Sequence, residues 1–119
     1  MIKRLLNWLD ESTCNFMAVA AMERELLAAG FSEIRQENRW DIKRGGKYFF
    51  KKNDSAIFAF IVGEGDISKE GFRIVSAHSD SPCFKIKPNA EIYGDGGVVS
   101  LNVEKYGGGI LYTWFDRPL

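Results

Sequence analysis

Apolar residues recur at helical spacing in one part of the chain and alternate or cluster like strands in the rest. From Phe16 the apolar positions continue at Val19, Ala20, Leu26 and Leu27, with Glu23, Arg24 and Glu25 between them. This predicts an amphipathic helix of about four turns with its apolar face on a core. Ser12 or Thr13 stands where a side-chain oxygen can accept an orphaned N–H at the helix start. Gly30 follows where a left-handed residue ends a helix. Trp40-Asp-Ile-Lys43 alternates as a half-buried strand does. Gly45-Gly46 then turns the chain into Lys47–Lys51, and the turn formers Lys52-Asn-Asp-Ser55 lead to the apolar run Ala56–Val62. Two such runs around such a cluster predict a β-hairpin. The second run is apolar on both faces, so it is expected to be a central strand covered by helices.

Gly63–Gly71 is polar and surface-like, and Phe72–Ala77 reads as another buried strand running into His78-Ser79-Asp80. After Pro88 the character changes: glycines crowd at 94, 96, 97 and 107–109, strands look short and no helical period remains. A second, β-rich unit is expected to begin near 85–95. Tyr112, Trp114 and Phe115 are expected in a core or an interface. The chain ends at Trp114-Phe-Asp-Arg-Pro-Leu119 directly after what reads as a strongly apolar strand, an ending that suggests truncation. The fold class expected is α/β.

Composition adds exclusions. The chain of 119 residues is 45% hydrophobic and 27% charged, an ordinary globular balance for one small domain. Sixteen basic and sixteen acidic residues cancel and are interspersed, so no basic stripe supports nucleic-acid or membrane-surface binding. The basic-then-apolar start, Met1–Asp10, is too short, is interrupted by Asn7 and lacks a small-residue cleavage site, which argues against a secretory signal. No run approaches the roughly 20 apolar residues of a membrane span. Cys14 and Cys83 fit neither a disulfide framework nor a metal motif, and the acceptor pattern at Asn53-Asp54-Ser55 carries no meaning without export. A cytoplasmic location is expected.

One histidine, His78, is present. A lone histidine is more often structural than functional, but this one stands where a buried strand is expected to end, and open α/β sheets bind ligands at the carboxyl ends of their strands. Asp80, two residues on, shares its side of a strand. A carboxylate on one ring nitrogen fixes the tautomer and leaves the other for a metal. Pro82 stiffens the backbone that follows. The same pair could equally be a surface ion pair. A serine-hydrolase reading of Ser79 or Ser81 lacks the Gly-x-Ser-x-Gly turn and a separate base. Gly94-Asp-Gly-Gly97 and Gly107-Gly-Gly109 match no phosphate-binding spacing and read as turns or close backbone packing.

The ordered combination of Phe16-Met-Ala-Val19, Gly30-Phe31, Trp40, Gly45-Gly-Lys-Tyr-Phe49, Ile57–Gly63, Ala77-His-Ser-Asp-Ser-Pro-Cys83, Lys85–Pro88, Val103–Gly109 and Thr113–Arg117 resembles the M18 metallo-aminopeptidases, the aspartyl aminopeptidases. Met17 stands where that family usually has histidine, and Ser79 where it has threonine. The resemblance implies an α/β/α catalytic domain, of which residues 1–88 are the N-terminal part. It implies an inserted β-rich oligomerisation domain beginning in residues 89–119, and a homo-oligomer. It implies two zinc ions, His78 as a zinc ligand, Asp80 as the catalytic group orienting it, and hydrolysis of N-terminal, preferably acidic, residues from peptide substrates. The family's other ligands and its general base have no counterpart here, so the chain alone is expected to be inactive. The alternative is a non-catalytic, free-standing α/β interaction module.

Overall fold

The computed structural model describes residues 1–115 and contains both helices and strands. Two compact units divide at Asp80 and Ser81. No helix among the described residues is long and apolar enough to cross a membrane.

In the unit Met1–Asp80, α1 spans Ile2–Glu11 and α2 spans Asn15–Ala28. The second is the helix read from the sequence; the first was not. Neither Ser12 nor Thr13 caps α2. Cys14 is its N-cap without a side-chain bond, and Ser12 instead closes α1, donating its N–H to the Leu9 carbonyl. Three residues between the helices leave no room for a separate capping turn. At the other end, Gly30 (φ 79°) donates to the Leu27 carbonyl and Phe31 to that of Leu26. This is the paired Schellman closure that a left-handed glycine makes possible.

A three-stranded sheet runs β1 (Ser32–Glu33), β2 (Lys47–Lys52), β3 (Ala56–Ile61), with β1 parallel and β3 antiparallel to β2. Asn53 and Asp54 both take positive φ (52° and 51°), as a primed hairpin turn requires. Alternation along β2 separates two faces. Phe49 and Lys51 share the face that meets α2, since Lys51 reaches Glu23 there. Phe49 is fully buried, and with Ala18, Val19 and Ala21 of α2 it makes the core. The small side chains of α2 let the helix approach closely.

On the opposite face Tyr48 pairs with Phe60 and Phe50 with Phe58, ring centroids 5.7 and 5.3 Å apart. Trp40 lies over this face, 5.5 Å from Phe50 and 6.2 Å from Phe60, its indole N–H donated to the Arg35 carbonyl. Residues 40–43 are therefore not the strand expected from alternation, because their apolar side chain packs flat on the sheet instead of the backbone joining a ladder. The expectation that β3 is central also fails. The central strand is β2, β3 is an edge among the described residues, and Phe58 is 54% exposed.

Gly63–Gly71 is surface as expected, with one helical turn, α3 (Ile67–Glu70), whose N-cap Asp66 accepts the Ser68 N–H. That bond and the Ser68 hydroxyl hold the Asp66 carboxyl below its usual pKa. Residues 72–77 form no strand, and Val75 is 99% exposed. A strand is stabilised by its neighbours' hydrogen bonds and by apolar cover, and no element among the described residues supplies either.

The unit beginning at Ser81 is β-rich, as expected, but its strands are long. β4 (Cys83–Tyr93) and β5 (Val99–Tyr106) form an antiparallel hairpin closed through Gly94–Val98. The ladder breaks between Ile86 and Glu91, around Pro88, which has no N–H to donate. The expected apolar strand before the chain end is a 3₁₀ turn, Leu111–Trp114, and Tyr112 (73%) and Phe115 (84%) are exposed within this chain. Residues 116–119, where the end of that reading falls, lie outside the described residues.

Candidate metal-ligand site

His78 and Asp80 close the unit that begins at Met1. The expected scaffold for them, a buried strand end, is absent. What holds the segment is Ser79, whose hydroxyl donates to the carbonyl of Ser55 at 2.8 Å. Ser55 ends the β2–β3 turn, so the site is pinned to the tip of that hairpin. This bond joins residues 24 apart, and no sequence pattern announces it. It also engages the Ser79 hydroxyl structurally, against a nucleophile's role.

The His78–Asp80 contact itself is present. Nδ1 of His78 lies 2.9 Å from the Asp80 carbonyl and 3.1 Å from its Oδ1. Both oxygens can only accept, so the geometry requires the proton on Nδ1. In the neutral ring the lone pair then lies on Nε2, the arrangement of a metal-binding imidazole whose other nitrogen is fixed by a carboxylate or carbonyl. The imidazole is 82% exposed and the Asp80 side chain 43%, so Nε2 is open to ligands. Ordinary ion pairing would leave the contact weak at this exposure.

Zinc takes about four ligands. His78 fits one of them and Asp80 its orienting partner. Among the described residues no group of three or more His, Cys, Asp or Glu comes together as a metal cluster. Cys14 and Cys83 are free and exposed. The glycine clusters behave as turns: Gly96 and Gly97 take positive φ, and an added Cβ at Gly107 (φ 77°) would stand 3.3 Å from Pro82 Cα.

Comparison with known proteins finds one family over nearly the whole chain. Residues 8–119 match the family model described as aminopeptidase I zinc metalloprotease (M18). A probable M18 family aminopeptidase 2 of Clostridium acetobutylicum is 48% identical over 117 residues, covering 98% of this chain and 27% of the relative. Its counterpart in Pseudomonas paraeruginosa is 41% identical over 115 residues, covering 97% of this chain and again 27% of the relative. The solved structure of Chaetomium thermophilum mApe1 superposes with a TM-score of 0.86 at 31% identity, covering 97% of this chain and 26% of that one. Aminopeptidase I from Borrelia burgdorferi, at 20% identity and a TM-score of 0.76, covering 98% of this chain and 30% of its own, shares the fold. The chain thus spans about a quarter of the length of the proteins it matches.

Proposed function

The chain belongs to the aminopeptidase I zinc metalloprotease (M18) family, and from that premise we propose that it forms part of a zinc-dependent aminopeptidase removing N-terminal, preferably acidic, residues from peptides. The observation that carries the site assignment is the approach of His78 Nδ1 to the Asp80 carbonyl at 2.9 Å and to its Oδ1 at 3.1 Å, acceptors that call for the proton on Nδ1. It leaves Nε2 as the ligand atom. Asp80 would keep the ring oriented and offset the charge of a metal ion held at Nε2. Zinc held in part by His78 Nε2 would supply a water of lowered pKa, about 7, for the hydrolysis. His78 and Asp80 supply one ligand of the two zinc ions proposed, so the 119 residues by themselves are inactive and hold zinc weakly.

In this reading residues 1–88 belong to the catalytic domain, and residues 89–119 begin an inserted β-rich domain that serves homo-oligomerisation. The exposed apolar side chains of the β4–β5 hairpin support an interface role for it, while the compact β-rich unit itself begins earlier, at Ser81. The free, exposed Cys14 and Cys83 suit a reducing, cytoplasmic compartment.

The test is a chimera in which residues 8–119 replace the matched segment of a full-length relative. It is expected to release aspartate or glutamate from peptide N-termini with zinc, and His78→Ala is expected to lose both zinc and activity. A folded chimera that is inactive, or a His78→Ala variant that keeps its zinc, overturns the assignment. Hydrolysis by the purified 119-residue chain overturns its proposed inactivity.

A further inference from the structure

With His78 taken as a zinc ligand, on the reading given under the proposed function, we propose that Ser79 is a positioning residue for it and that the β2–β3 turn sets where the imidazole stands. Three consecutive side chains divide into two directions. His78 and Asp80 meet each other at Nδ1. Ser79, between them, donates its hydroxyl to the Ser55 carbonyl at 2.8 Å in a part-buried bond. That bond lies wholly within the unit Met1–Asp80, so it does not depend on what covers any outer surface. It also acts one residue from the ligand. Consecutive Cα atoms are about 3.8 Å apart across a planar peptide, so fixing residue 79 leaves residue 78 little room to move.

The acceptor is itself held in place. Lys52 and Ala56 are the last partners of the β2–β3 ladder, so the Ser55 carbonyl lies beyond it, in the turn. Ser55 donates its own N–H to the Lys52 carbonyl at 3.2 Å, across Asn53 and Asp54 at positive φ. That is a type I′ turn, and asparagine and aspartate enter the left-handed region more readily than other side chains. Lys51 stands at its foot, bonded to Glu23 of α2 at 2.9 Å and 3.5 Å from Asp54 Oδ1. The Asp54 contact is weak at its exposure, but the Glu23 bond fixes the strand that carries the turn. A continuous path therefore runs from α2 through Lys51, the turn and the Ser55 carbonyl to Ser79 and its neighbour His78. Serine suits the last link because one torsion separates its backbone from its donor oxygen, which leaves little slack. Metal ligands need placement to within about 0.5 Å, so a tie of this kind bears on affinity as well as on folding.

The test uses the full-length chimera carrying residues 8–119. Ser79→Ala is expected to raise the zinc dissociation constant, read by competition with a chromophoric chelator, about 10- to 100-fold. At saturating zinc it should lower kcat while the peptide KM stays within about twofold of the parent. Ser79→Thr keeps the hydroxyl and should stay within about threefold of the parent in zinc affinity and kcat. A glycine inserted between Asp54 and Ser55 moves the acceptor while leaving Ser79 intact, and should weaken zinc binding as Ser79→Ala does. Circular dichroism checks that each variant is folded. Parental zinc affinity in Ser79→Ala or in the insertion variant overturns the positioning role, and so does a Ser79→Thr variant as impaired as Ser79→Ala. His78→Ala separates this failure from that of the ligand reading. If it loses zinc while Ser79→Ala keeps it, the positioning role alone falls; if His78→Ala keeps zinc, the ligand assignment falls and the positioning role with it.

Discussion

Lys51 of β2 donates to Glu23 of α2 across 2.9 Å, with the two side chains only 21% and 24% exposed. The pair ties the helix to the sheet on the same face as the buried Phe49. The hydrogen bond to Glu23 holds the Lys51 pKa above 10.5, against the opposing effect of burial.

Removing one partner leaves the other charge largely buried and unpaired, which costs more than an exposed pair is worth. Lys51→Met is expected to destabilise the chain by about 1–2 kcal/mol near neutral pH. The pH sign follows from linkage. A pKa raised in the folded state stabilises fully below the unfolded value of 10.5 and fades as pH rises through the folded one. Urea midpoints of wild type and Lys51→Met should therefore converge only above about pH 10.5; convergence near neutral pH would contradict the pair's role.

Gly30 separates conformational from steric cost. An added Cβ there meets nothing within 4 Å, so the penalty of Gly30→Ala comes from its φ of 79° alone. A loss of about 1 kcal/mol is expected, with Gly30→Asn costing less because asparagine tolerates the left-handed region. Thermal unfolding of both variants checks the order.

Phe49→Ala empties the centre of a core whose other buried members are Ala18, Val19 and Ala21. The expected cost is about 3–5 kcal/mol, a large share of a small domain's stability. Loss of the cooperative transition in circular dichroism is the anticipated readout. A drop of less than about 1 kcal/mol would mean that α2 and the sheet do not pack through this residue.

The His78 tautomer can be observed directly. Long-range proton–nitrogen correlation spectra of the metal-free chain with its imidazole neutral should show Nδ1 protonated and Nε2 bare. Asp80→Ala should weaken that preference without abolishing it, because the Asp80 backbone carbonyl remains an acceptor at 2.9 Å. A dominant Nε2–H form in wild type would remove the basis for Nε2 as the ligand atom.

Local chemistry was legible in the residues. The spacing of Val19, Ala20, Leu26 and Leu27 marked α2, Gly30 marked its end, and Asn53-Asp54 marked the hairpin turn, because each depends on propensities that act within a few residues. The His78–Asp80 contact was legible for a related reason: two residues apart, the groups meet even without the strand that was expected to align them. Trp40 misled because an apolar–polar alternation arises equally from a strand and from a loop that lays one ring on a sheet. α1 was overlooked because its apolar residues were weighed only as a leader segment.

What the sequence determined by itself was therefore α2 with its glycine end, the β2–β3 hairpin, the family to which they belong and the candidate ligand with its proposed orienting partner. Tertiary structure decided the order of strands, which put β2 rather than β3 at the centre. It also decided that Ser79 fastens the site to Ser55. The reason is physical: register, edge position and burial depend on which distant segments supply hydrogen bonds and cover, and a run such as Phe72–Ala77 becomes a buried strand only where such neighbours exist.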